Sequence, residues 1–203
     1  MPDQETKNPP SNEHISTFSA IGLFALDFLK VFVIAVAIII PIRWFLFQPF
    51  VVTGDSMRPN FLNGNYLIID ELTYHFRDPG RGEVVVLRFP NDPSQFFIKR
   101  IVGLPGERVV IDNGRVTVYN GANPEGVRLD ESYLPNQNIT FGNVDRTLSE
   151  EEYFVMGDNR LSSSDSRIWG PLPREDIVGR VYIRVFPVKD FDFYGSEELL
   201  PVA

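Results

Sequence analysis

Residues 109–119 read VVIDNGRVTVY, and this stretch decides the class of fold. β-Branched runs flank Asn113-Gly114, a dipeptide that accepts the two positive φ angles of a type I′ turn, so the segment predicts an antiparallel hairpin. Working outward, residues 66–70 (YLIID), 83–89 (EVVVLRF) and 96–102 (FFIKRIV) are short runs rich in β-branched and aromatic side chains. Turn formers bound them at Asn63-Gly64-Asn65, Asp78-Pro79-Gly80 and Asn91-Asp92-Pro93. Strand patterns return at 153–156 and 177–186. Between them, residues 120–150 are rich in Gly, Pro and Asn and read as an irregular insertion; Asn138-Ile139-Thr140 within it matches a glycosylation acceptor, a pattern common by chance. Residues 50–190 are expected to form one mainly β domain, an antiparallel β-structure of short strands, followed by an acidic C-terminal tail at 191–203.

The N-terminal quarter follows different rules. Residues 1–17 are polar, with adjacent prolines and no apolar period, and read as a flexible tail. From residue 18 to 49 nearly every side chain is apolar, and residues 31–42 carry no charge at all. A span needs about 20 apolar residues to cross the hydrocarbon, a length reached here if Asp27 and Lys30, three apart on one helix face, pair with each other. The alternative span runs to about residue 50, with Arg43 snorkelling and Trp44 near the interface. A removable signal peptide would need a basic leader and a small-residue cleavage site, and bulky residues follow position 42 instead. A buried core helix would show polar positions at helical spacing, which 31–42 lacks. The stretch at 18–49 therefore reads as one uncleaved N-terminal transmembrane helix.

Composition removes several classes of function. The 203 residues carry a formal net charge of −8, which is the wrong sign for neutralising phosphates, so no nucleic-acid partner is expected. No Cys is present, which excludes disulfides, thiolate catalysis and Cys-ligated metals. With only two His besides, a zinc site has little to build on, and no metal or other cofactor is called for.

Three segments could carry chemistry. In Gly54-Asp55-Ser56-Met57-Arg58-Pro59 a Gly and a Pro bracket a sharp turn that can present a hydroxyl, although a Ser in such a turn is ordinarily a turn residue only. A Ser nucleophile needs a base. His14 precedes the apolar span and cannot meet Ser56 across a membrane, and His75 has no acidic partner in an evident orienting position. Lys99 lies in the most apolar setting of any Lys outside the span, in Phe96-Phe97-Ile98-Lys99-Arg100-Ile101-Val102. Strand alternation puts Phe97, Lys99 and Ile101 on one face, where burial would disfavour the ammonium and leave an amine able to act as a base. The same Lys reads equally well as an outward edge-strand residue that discourages aggregation. The third segment, residues 157–167 (GDNRLSSSDSR), holds two acids, two Arg and four Ser, which suits either a polar network beside a reactive pair or a solvated loop.

Taken together and in this order, the three segments resemble the bacterial type I signal peptidases, membrane-anchored endopeptidases with a Ser/Lys dyad. Ser56-Met57-Arg58-Pro59 resembles the nucleophile motif of that family, residues 99–107 (KRIVGLPGE) its base motif, and Gly157-Asp158-Asn159-Arg160 its third motif; residues 65–69 (NYLII) fit the intervening structural one. The resemblance runs from about the apolar span to Pro187. It implies the fold of those Ser/Lys proteases, with Ser56 attacking the scissile carbonyl and neutral Lys99 taking its proton. It implies that Ser163 orients the Lys amine, that the Ser56 backbone N–H serves the oxyanion, and that Arg100 with Asp158 and Asp165 with Arg167 hold the loop, while Asn159 and Ser166 are structural. Val52, Met57, Phe97 and Ile98 would line shallow pockets for small residues of an extended substrate clamped by β-augmentation. The implied substrates are secretory preproteins cut at Ala-x-Ala type sites, and the implied partners are those preproteins and membrane lipid. The catalytic domain would lie on the extracytoplasmic side of a bacterial cell membrane.

The chain departs from the pattern twice. Some members carry a Ser hydroxyl two residues before the nucleophile, where this chain has Gly54 beside Thr53. The motif ordinarily continues Pro-Thr-Leu and here reads Pro59-Asn60-Phe61, a change on the apolar side of the motif that leaves the proton transfer untouched. Other readings are a Ser/Lys self-cleaving repressor, against which the apolar span and the absence of a DNA-binding region count, and a catalytically dead domain that only binds peptides, against which Ser56, Lys99 and Ser163 count. A Ser-x-x-Lys penicillin-binding enzyme is disfavoured because no Ser precedes a Lys by three residues.

Overall fold

The computed structural model describes residues 17–45, 47–135, 140–194 and 201–202. The tail before residue 17 with His14, and Asn138 and Ile139 of the glycosylation pattern, lie outside the described residues. The chain divides into two units, residues 1–42 and 43–203.

The first unit is the greater part of a single helix, α1 (Thr17–Phe45). Its apolar side chains are exposed all round, with Val31, Phe32, Val33 and Ile34 in succession facing outward. The expected pairing of Lys30 with Asp27 is present, at 3.1 Å. Among the described residues no helix is long and apolar enough to cross a membrane; the side chains of 17–23 and 40–45, with Arg43 and Trp44, are outside that description. The helix ends before the expected limit of 49, because the chain turns extended at β1 (Phe47–Val51).

The second unit is built of antiparallel strands: β2 (Tyr66–Asp70), β3 (Val84–Phe89), β4 (Asp92–Gly103), β5 (Arg108–Asp112), β6 (Arg115–Tyr119), β7 (Val127–Leu129), β8 (Val144–Thr147) and β9 (Glu152–Met156). A short helix, α2 (Ser166–Trp169), then leads to β10 (Leu172–Pro173), β11 (Ile177–Phe186), β12 (Asp192–Phe193) and β13 (Pro201–Val202). One sheet runs β1-β2-β11-β3-β4-β9-β10, with β12 on β11; the other runs β13-β7-β6-β5-β8. The hairpin at 109–119 has its expected turn, with Asn113 at φ 49° and Gly114 at φ 76°.

Period-two patterning explains how the first sheet is covered on both faces. In β3, Val84 and Val86 join Leu67, Ile69, Val181, Met57 and Phe61, while Val85 and Leu87 join Ile101, Tyr153, Val155 and Ile177 on the opposite face. β9 alternates in the same way, sending Phe154 and Met156 to the core of the second sheet with Val109, Ile111, Val116 and Val118. Gly103 closes this junction: a Cβ there would lie 2.5 Å from Val109 and 2.9 Å from Phe154.

Three expectations are corrected. The turn before β4 is Pro90-Asn91, and Asp92-Pro93 already belongs to the strand. Pro is tolerated there because, among the described residues, this half of β4 pairs only with β3, so no second ladder needs its missing N–H. Residues 120–150 are not wholly irregular, since β7 and β8 lie in the second sheet and Leu129 and Leu148 enter its core. The segment from Phe191 is not all tail: β12 pairs with β11, Tyr194 packs on the first core, and β13 pairs with β7.

Candidate active site

Ser56 and Lys99 come from segments 43 residues apart and meet with Lys99 Nζ 2.9 Å from Ser56 Oγ. The nucleophile turn is set by its flanks. Val52 N–H donates to Asn65 O and Gly64 N–H to Val52 O, which fastens the loop as a closed lobe beside β1 and β2. Gly54 adopts φ +94°, a conformation that a side chain would strain, and its N–H donates to Asn63 Oδ1 at 3.1 Å. Met57 and Phe61 anchor the far side in the apolar core, both almost wholly buried. The Ser56 N–H, by contrast, donates no hydrogen bond among the described residues.

Lys99 is 3% exposed, with its Nζ 5.1 Å from the centre of the Phe97 ring and a second hydrogen bond to Ile98 O at 2.7 Å. Burial dominates its ionisation and lowers the amine to about 8, against the opposing pull of the Asp165 and Asp158 carboxylates. An amine in that range is neutral in about a tenth of the molecules at pH 7, far more than an unburied lysine, and it sits at hydrogen-bond distance from a hydroxyl.

Behind the pair, residues 157–167 form a polar scaffold. Asp158, wholly buried, takes a bidentate pair from Arg100, with Nε to Oδ1 at 2.9 Å and Nη2 to Oδ2 at 2.8 Å. Asp165 takes another from Arg167, at 2.8 Å on each oxygen, and accepts from Gly157 N–H. Burial alone would raise the Asp165 carboxyl, yet the Arg167 guanidinium, the Gly157 N–H and the nearby Ser163 hydroxyl hold it below the usual carboxylate range. The scaffold touches the nucleophile turn directly: Asn159 N–H donates to Ser56 O at 2.9 Å, and Asn159 Nδ2 to Asp55 O at 3.0 Å. Gly157 packs so closely there that a Cβ would stand 2.4 Å from Ser56 O and 2.2 Å from Ser163 Oγ. Ser166 Oγ accepts from Val155 N–H, which ties the loop to β9.

The pair opens into a cleft of about 310 Å³. Residues 50–54 line one side and Phe96, Phe97 and Ile98 another, with Ser162 and Ser164 also contributing. Phe50 and Phe96 meet edge to face across it, their centres 5.7 Å apart. Residues 96–98 of β4 pair with β3 on one edge, and among the described residues no strand pairs with their other edge.

Of the residues expected in the pockets, Val52, Phe97 and Ile98 line the cleft. Met57 does not; its sulfur lies inside the core, 3.5 Å from the Asp158 N–H. Ser163 Oγ is buried and lies close enough to Asp165 to lower its carboxyl, but among the described residues it makes no hydrogen bond of good geometry, to Lys99 or to any other group. Thr53 and Gly54 both border the cleft. Sequence reasoning missed Phe50, Phe96, Ser162 and Ser164, of which only Phe96, two residues before Ile98 on an alternating strand, carried a usable signal. It also placed Asn60 on the apolar side, whereas Asn60 Nδ2 donates to Asp158 Oδ2 at 2.9 Å.

A serine hydroxyl held against a dry lysine at the edge of an open cleft sets a potential nucleophile beside a group able to accept its proton. A profile of the family described as signal peptidase, peptidase S26, matches residues 25–186. The chain is 38% identical to a probable signal peptidase I-2 of Synechocystis sp. over 91% of this chain and 79% of that one. It is 32% identical to a probable signal peptidase I-1 of the same organism over 88% and 91%, and 32% identical to signal peptidase I P of Bacillus subtilis subsp. natto over 80% and 90%. A solved signal peptidase I from Enterococcus faecalis V583 matches with a TM-score of 0.44 and 26% identity, over 52% of this chain and 97% of that one. The chain belongs to the signal peptidase family, peptidase S26.

Proposed function

We propose that the protein is a membrane-anchored serine endopeptidase that removes N-terminal signal peptides from secretory preproteins, with Ser56 as nucleophile and Lys99 as general base. The observation that carries this reading is the 2.9 Å approach of Lys99 Nζ to Ser56 Oγ, with the amine buried and the hydroxyl facing a cleft. Neutral Lys99 takes the hydroxyl proton as Ser56 Oγ attacks the scissile carbonyl, then hands it to the leaving amine. Water then attacks the acyl-enzyme, with the same amine as base. The developing oxyanion is received by the unoccupied Ser56 N–H. The Gly54 N–H is committed to Asn63, so Thr53 on the cleft wall is the nearer place to look for a second donor.

An extended peptide fits between the edge strand β1 with its continuation at 52–54 and the unpaired edge of residues 96–98. The apolar walls at Val52, Phe97 and Ile98 leave shallow room for small side chains, which supports cutting after Ala-x-Ala type sequences. The apolar circumference of α1 supports anchoring in lipid, as a single span with the catalytic domain on the extracytoplasmic side of a bacterial cell membrane.

The test is cleavage of a preprotein by the full chain in detergent or lipid. Ser56→Ala and Lys99→Ala should each lower kcat by at least about a thousandfold with the chain still folded. Rates within tenfold of wild type for either variant would remove this assignment.

A further inference from the structure

Asn60 lies at a crossing of four parts of the domain. Its side-chain amide donates to Asp158 Oδ2 at 2.9 Å and to Tyr133 O at 3.1 Å. Its own carbonyl accepts from Arg184 Nη1 of β11 at 2.7 Å, and the neighbouring Phe61 N–H donates to Met57 O at 2.9 Å. Both partners of the amide are oxygens that only accept, so the orientation is fixed: turning the group over would set Oδ1 against a carboxylate and a carbonyl.

The carboxylate it holds is the one that already carries Arg100 on both oxygens, with the Arg100 guanidinium 4.2 Å over the Tyr133 ring. Asn60 thus binds the carboxylate and the segment bearing the ring at once. Around Lys99 the charged groups are few. Asp158 and Asp165 act on it from the loop at 157–167; each is paired, with Arg100 and Arg167 respectively. From β3 the residue opposite is Val85, which is apolar, and from the nucleophile turn it is neutral Ser56. In such dry surroundings small changes in the direction or screening of one carboxylate are felt strongly by a neighbouring amine.

We infer that Asn60 is a positioning residue for the base: its amide fixes the Asp158 carboxylate on Arg100 and thereby sets the negative potential under which Lys99 takes the serine proton. This rests on the Ser56/Lys99 reading above. A donor on the carboxylate spreads part of its charge; without that donor Asp158 presents more negative potential and stabilises the charged form of Lys99. The acid limb of the pH–rate profile then moves to higher pH.

The experiment compares the full chain with Asn60→Leu, of similar shape but without a donor, and Asn60→Asp, of similar shape with a second carboxylate. Lys99→Ala serves as control, and kcat, KM and the pH profile on a preprotein are normalised to folded molecules. Asn60→Leu is expected to lower kcat about tenfold with KM within twofold, and to move the acid limb upward by a few tenths of a pH unit. Asn60→Asp should move it further in the same direction. If both variants melt earlier but keep the wild-type kcat and limb per folded molecule, Asn60 is a strut only and the inference is overturned. If Lys99→Ala also cleaves, the dyad itself is wrong and the inference goes with it.

Discussion

Two arginine–carboxylate pairs in this domain share nearly one geometry and differ in everything around them. Arg100 meets Asp158 at 2.9 and 2.8 Å and lies over Tyr133; Arg108 meets Asp145 at 2.7 and 2.6 Å and lies over Tyr119. The first pair is 5% and 0% exposed at its side chains, beside Ser56 and Lys99, whereas the second is 46% and 59% exposed across β5 and β8. Geometry alone therefore says little about what an ion pair does. Water screens the outer pair, so it contributes little, while the inner one makes each partner indispensable to the other. The inner pair does not demonstrate stability in itself, since its desolvation offsets much of its attraction. What it provides is a fixed direction for a buried charge next to the buried amine of Lys99.

The largest effect should come from splitting the inner pair. Asp158→Ala leaves Arg100 buried without its carboxylate and is expected to remove about 3–5 kcal/mol of stability in urea titration. A loss below about 1 kcal/mol would erase the distinction between the two pairs. Next comes the pH profile. The wild-type kcat/KM should rise with pH through about 8 as Lys99 loses its proton. Asp158→Asn removes a charge that holds Lys99 protonated, so among the molecules that remain folded the limb should move to lower pH, and a limb that stays put would detach Asp158 from the base. The smallest effect belongs to the outer pair: Asp145→Asn should leave both the urea midpoint and the limb where they were, and a clear shift in either would mean that exposure is not what separates the pairs.

The two sheets differ in how much of them the sequence reveals. The hairpin at 108–119 can be read directly, because Asn113-Gly114 and β-branched flanks are local signals. β7 and β8 cannot, since three or four residues are too few to display a period, and Leu129 and Leu148 enter the core only once the long segment folds back. At the site, Ser56 and Lys99 are legible through their motifs and through the absence of any placed histidine, and alternation already puts Lys99 beside Phe97. Met57 is misplaced because a motif gives adjacency without direction: its backbone follows Ser56 while its side chain turns into the core. Asn60 is hidden for a different reason. Its partner Asp158 is 98 residues away, and nothing in Pro59-Asn60-Phe61 tells which side of the turn the amide faces.

The dry setting of Lys99 also links the protein's stability to the protons it takes up on unfolding. Its amine is lowered to about 8 in the fold against 10.5 for an unburied lysine. Between those values the folded chain holds this group neutral while the unfolded chain holds it charged, so unfolding takes up a proton and the contribution of Lys99 to stability rises with pH. Below about 8 both forms are protonated and the full penalty applies, roughly 3 kcal/mol from the difference of the two values; above 10.5 it is gone. The protonation state that can accept the serine proton is thus also the one the fold prefers. Along the pH axis, at this residue, activity and stability increase together, and the compromise so often struck between them at active sites falls instead on the choice of pH at which the enzyme works.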